Sequence, residues 1–405
     1  MSGNVVVPPR SAVTLDVVEG NLQVGDGATI KGSGFPPKVK VSGRVYCQGH
    51  CTFECNLQAE GFEGEEDITI LGDLEIKNNV RIKDGRLEVD GKMTASTVDV
   101  DERLSVGGNL AAEKIDVGGT LEVKGNTTAR KIDVGGRFMG EGEAKISYID
   151  VGGSVAIESK AEIESIDVGG SVNVKGGKIG KVDVGGSFES KDSLEFDFID
   201  VGGSVRLSGN NVGNDIDVGG SLKVDGNLKF RKIDVGGVVE ISSWAEGESI
   251  DVGGKLRVGD FLNLSGKLDV GGRAEVDGDL TAQTIDVGGS LKANQITATA
   301  TISVGGTLET KLGTKASKVK IGKRGEVAGP IFADEVLIKE KAHVEDVHAK
   351  TIILKEKVNA KNLYGEKIFI GSQCHITGEV QYTERLEAEK DVFFAKTPQK
   401  VEKLP

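Results

Sequence analysis

A chain of 405 residues would ordinarily imply two or three globular domains, but 59 glycines, 7 prolines and only 4% aromatic residues do not suit thick cores. The net charge of −13 argues against a nucleic-acid footprint. Four cysteines are too few for a disulfide scaffold. No stretch is long enough for a transmembrane helix and no signal-peptide pattern opens the sequence, so a cytoplasmic protein is expected.

Residues 1–13, with Val5-Val6-Val7-Pro8-Pro9, show no period and are expected to form a flexible arm. Three valines bury too little to hold a bilayer, so any membrane contact of this arm is weak.

From residue 14 to 97, short apolar pairs two residues apart recur, as in Leu22/Val24, Val45/Cys47 and Ile68/Ile70. Alternation by two is the strand signal, and the runs are too short and too β-branched for helices. Gly34-Phe35-Pro36-Pro37 and the run from Gly61 to Glu66 read as protruding corners. Cys47, Cys51, Cys55 and His50 are the residue types of a metal cluster. Their spacing lacks the close cysteine pairs of a zinc site, and Cys47 and Cys51 fall on inward positions, so no metal is expected.

Residues 98–315 carry a strict repeat. The motif Ile/Val/Leu-Asp-Val-Gly-Gly starts at Ile115, Ile132, Ile149, Ile166, Val182, Ile199, Ile216, Ile233, Ile250, Leu268 and Ile285, in steps of 16 to 18 residues. A short fixed period signals a solenoid whose units bury apolar faces against their neighbours. Three short strands per 17 residues predict an all-β, triangular parallel β-helix of roughly 22 coils. Gly-Gly marks a corner where φ > 0 is expected.

The residue between the inward pair is Asp in nearly every repeat, from Asp99 to Asp286. Stacked strands bring these carboxylates within about 4.8 Å of each other. Two ways of offsetting the repulsion stand side by side: hydrogen bonds from the Gly amide two residues on, or a ladder of bound cations. Lys114, Lys131, Lys181, Lys232 and Lys267, each two residues before an Asp, would neutralise part of the row. On the next side the outward series Arg206, Lys223, Glu240, Arg257, Glu275, Lys292, Glu309 places charges that largely alternate, which fixes the stacking register.

In residues 316–394 Gly-Gly disappears while the spacing persists. The outward positions become Leu337, Ile353 and Phe369, an apolar row that a soluble chain does not leave bare. Either the segment around Phe393 and Phe394 folds back over it, or another copy of the chain does. These five residues are the candidate assembly interface, and residues 395–405 are expected to be a tail. His343, His348 and His375 all fall on outward positions, and no histidine lies between His50 and His343 to complete a catalytic metal site.

No catalytic constellation emerges. Gly-Gly-Ser follows a strand and opens another strand, whereas a phosphate loop opens a helix. Coils that vary by one or two residues leave no long loops to build a cleft. No cofactor, nucleic acid or enzymatic role is expected.

The runs Ala-Asp-Glu-Val-Leu-Ile (333–338), Ala-Lys-Thr-Ile-Ile-Leu (349–354) and Ile-Thr-Gly-Glu-Val (376–380) resemble the short strands and Gly or Ala corners of the bactofilins. The resemblance covers the C-terminal third. It implies a right-handed β-helix that polymerises end to end, without nucleotide, into cytoskeletal filaments. The chain departs from that family in its length and its Gly-Gly coils. The expected function is a non-catalytic filament subunit or rigid scaffold whose main partner is itself, with an unidentified protein cargo as a further possibility. The alternative is a surface or carbohydrate-related β-helix protein that binds or turns over sugars.

Overall fold

The computed structural model describes residues 3–405. It is all-β among the described residues, a parallel β-solenoid of about 23 turns with a repeat of about 17 residues. Each turn is built from three short strands, and every strand-to-strand ladder is parallel, with partners one coil apart. The chain is described as two units, 3–203 and 204–405.

In the first unit, Ile115, Ile132, Ile149 and Ile166 stack in register, as do Val117, Val134, Val151 and Val168. All are at most 2% exposed. Alternation sends the intervening residue outward, so Asp99 to Asp200 form one column. In the second unit Asp217 to Asp286 form another, ending on Ser303. The outward column Arg206, Lys223, Glu240, Arg257, Glu275, Lys292, Glu309 stacks as the pattern predicts, and Lys292 bridges Glu309 at 2.7 Å.

The Gly-Gly corners are glycine for a different reason than φ. None of these pairs has positive φ. A Cβ on Gly152, Gly169, Gly185 or Gly202 would lie 2.5–2.6 Å from the carbonyl oxygen of the glycine one coil below. Close approach of stacked backbones, not a left-handed turn, selects glycine here.

The carboxylates do not cap these corners either. The amides of Gly118, Gly135 and Gly152 donate to the carbonyls of Val100, Val117 and Val134, each at 3.0 Å. Those amides point along the stacking axis, while the Asp side chains point outward. What faces five of these carboxylates is lysine: Lys114, Lys131, Lys181 and Lys232 reach Asp116, Asp133, Asp183 and Asp234 at 2.9–3.3 Å, and Lys267 pairs with Asp269.

Three other expectations change at the ends. The arm expected over residues 1–13 is strand from Val5: Val5–Val7 pairs with Leu22–Val24, because Val7 has a core to enter at 2% exposure. Gly61–Glu65 is a strand paired on both edges, not a protruding corner. Phe35, in the other predicted corner, is fully exposed. The tail beyond residue 394 contributes Gln399–Lys400, which pairs with Gln381 and Tyr382.

Candidate assembly site in the C-terminal coils

The last coils exchange Gly-Gly for corners in which an ordinary residue adopts φ near +60°. Arg324, Lys341, Lys357 and Gln373 occupy successive corners at φ 59, 62, 60 and 56. Their amides bond up the stack, Lys341 N to Glu356 O at 3.0 Å and Lys357 N to Ser372 O at 2.9 Å. The turn therefore persists with a new local chemistry, and it holds three outward columns.

On the first side Lys320, Leu337, Ile353, Phe369 and Glu387 stand in register. The three apolar members are half-buried by one another. The Arg385 guanidinium lies 5.9 Å from the Phe369 ring centroid and pairs with Glu387, closing the lower end of the row. Phe393 and Phe394 do not fold back over this row. They continue the coil on the second side, Phe393 against His375 and Phe394 against Ile376. Phe393 is outward and 54% exposed, with its ring 5.8 Å from that of His375. Phe394 is inward and half-buried.

The third side carries a column that a reading along the chain passes over. Phe332, His348 and Tyr364 are 16 residues apart and stack in register, ring centroids 5.0 and 4.6 Å apart and planes tilted by about 20°. Burial lowers the His348 pKa from its ordinary value, opposed by nearby Asp346. Burial likewise raises that of Tyr364. A recess of about 680 Å³ runs beside these rings, and the C-terminal Leu404 and Pro405 help line it. The signal for this ladder was present in the sequence as three aromatic rings at equivalent outward positions.

Among the described residues nothing pairs with the lower edge of Leu386 to Ala388 or of Phe393–Phe394. Inward side chains of the preceding turn, Ile368, Cys374 and Ile376, are fully buried. Their successors Leu386, Val392 and Phe394 are only half-buried. In the first unit, among the described residues, Val5–Val7 pairs with Leu22–Val24 alone. Strand edges without a partner template further pairing unless covered.

The metal-type residues near the N-terminus separate. Cys47, Cys51 and Cys55 are free thiols inside the core, whereas His50 is outside at the corner. Its Nδ1 lies 2.9 Å from Glu66 Oε2 and 3.8 Å from Asp26 Oδ1, and its amide donates to Asp26 Oδ1 at 3.2 Å. The cysteines and the histidine thus cannot share one ion, because strand alternation puts them on opposite sides of the wall.

Compared with known protein families, curated proteins and solved structures, the chain finds no match.

Proposed function

We propose that this chain is a non-catalytic structural protein, a bactofilin-like filament subunit or rigid scaffold that assembles through the ends of its β-solenoid without nucleotide. The observation that carries this reading is that Leu386, Val392 and Phe394 are half-buried beside strand edges that no described residue pairs with. A further coil stacked on that edge would complete the burial of these side chains, each contributing on the order of 1 kcal/mol, and would satisfy the free amides and carbonyls. The apolar row Leu337, Ile353, Phe369 offers a lateral contact beside the same end. Short corners that lead from strand to strand suit a structural role. The cytoplasm is the compartment this role implies.

The carbohydrate-related alternative draws less support. Sugar platforms need free aromatic faces, whereas Phe332, His348 and Tyr364 turn their faces toward one another.

The test is electron microscopy and sedimentation of the purified protein across concentrations. Filaments or discrete oligomers should form in the wild type. The double substitution Phe369→Lys with Phe394→Glu should remove them while circular dichroism stays β-rich. A wild type that remains monomeric at every concentration sinks the proposal. Assembly unchanged in the double variant would move the junction away from this end.

A further inference from the structure

The corner after strand Arg44–Cys47 holds two thiols side by side in the core. Cys47 ends that strand and Cys51 opens the next, Cys51–Glu54, with Gln48, Gly49 and His50 between them. Both point inward, 4% and 1% exposed. The equivalent residues one coil later are Gly64 and Ile68. A Cβ on Gly64 would lie 3.1 Å from the Ile68 side chain, so the inward positions flanking this corner lie near one another. Gly49 carries the corner at φ +81°, where backbone adjustment is least hindered.

A recess of about 420 Å³ opens from the surface and is lined by Cys47 together with Tyr46, Gln48, Gly64 and Arg81. Gly64 stacks directly on Cys47 and brings no side chain to close it. The other two cysteines have no such setting. Cys55 is buried, its thiol pushed up to about 11, and the Cys374 thiol donates to the Lys355 carbonyl at 3.0 Å.

We propose that Cys47 and Cys51 form a redox-active dithiol, oxidised to an intrachain disulfide by small-molecule disulfides. One cysteine, as thiolate, attacks a sulfur of the small disulfide and expels one thiolate, giving a mixed disulfide. The second cysteine loses its proton to solvent, attacks the protein sulfur of that mixed disulfide and expels the other thiolate. The two cysteines lose two electrons, and the small disulfide gains them as two thiols. The electrostatics suit a pair with divided roles: a hydrogen bond from Cys47 lowers the Cys51 pKa, while burial raises that of Cys47.

The experiment uses the full-length folded protein with oxidised glutathione, followed by alkylation, digestion and mass mapping. The expected result is a Cys47–Cys51 cross-link with no glutathione retained, and with Cys55 and Cys374 recovered as alkylated thiols. Replacing either Cys47 or Cys51 by Ser should abolish the link and leave glutathione on the remaining member of the pair. The wild-type map stands by itself should either variant misfold. A link that appears only after unfolding in urea would overturn the proposal. So would Cys47 and Cys51 reacting no faster than Cys55 and Cys374.

Discussion

If the Gly-Gly corners are glycine because of backbone contact between coils, Gly152→Ala must force two coils apart. Its Cβ would sit 2.5 Å from the Gly135 oxygen, and ordinary contact begins at 3.4 Å, a deficit of 0.9 Å. The bonds nearest the clash run from Gly152 N to Val134 O and from Gly153 N to Gly136 O, both 3.0 Å. Opening by that amount takes them past useful hydrogen-bond length. Losing or straining two such bonds costs about 1–3 kcal/mol, offset by about 0.4–1 kcal/mol from the reduced freedom of the unfolded chain. The control is Gly140→Ala, one coil earlier. Its Cβ would meet nothing closer than Phe138 Cζ at 3.5 Å, so only the favourable unfolded-state effect of about 0.4–1 kcal/mol should remain. Solenoids do not unfold strictly as one unit, so denaturant titration should be joined by hydrogen exchange at the amides around Gly152. Gly152→Ala should speed exchange there and lower the midpoint, while Gly140→Ala should not. Equal stabilities for the two variants would refute the steric account of the corner.

The C-terminal corners should respond in the opposite sense: Lys357→Gly relieves a side chain held at φ 60°, leaving stability level or raised by up to about 1 kcal/mol in denaturant titration. A clear loss would mean that the Lys357 side chain anchors the corner. Replacing Asp150 and Asp167 together by Asn removes like charges stacked across strands. Thermal stability at low salt should hold or rise by up to about 1 kcal/mol, with the gain fading as salt screens the column; a large loss that calcium reverses only in the wild type would indicate a cation ladder. His348→Phe tests the aromatic stack through pH. Burial lowers the His348 pKa below its ordinary 6.5, so the folded chain binds that proton less readily than the unfolded one. Its stabilising contribution is complete above 6.5 and is lost as pH falls through that value toward the lowered one. The wild type should therefore lose more stability than His348→Phe between neutral and mildly acidic pH, and parallel stability curves would rule the effect out.

Much of the candidate assembly site was readable along the chain, because strand alternation alone makes Leu337, Ile353 and Phe369 outward and equivalent. The Phe332, His348, Tyr364 ladder was harder to see. His348 invites comparison with His343, its neighbour in sequence, yet the two lie on different sides of the coil. Its true neighbours are 16 residues away in each direction. Phe393 and Phe394 posed a similar difficulty: whether they fold back or continue the coil depends on the edge presented by Cys374 and Ile376, which no local pattern reports.

The sequence by itself determined the solenoid, its period, its inward and outward residues and its register. These follow from a repeat so regular that slipping by one residue would turn every Ile and Val of a strand outward and every Asp inward. Only the tertiary structure decided what the glycines and carboxylates do. A dihedral requirement and a steric one both select glycine, and only the distance between stacked backbones tells them apart. An Asp two residues before a Gly can cap a turn or face its own lysine, and the direction of the amide chooses between them. The half-burial of Leu386, Val392 and Phe394 is likewise a fact of the folded chain, since an inward residue is exposed or buried according to what packs against it.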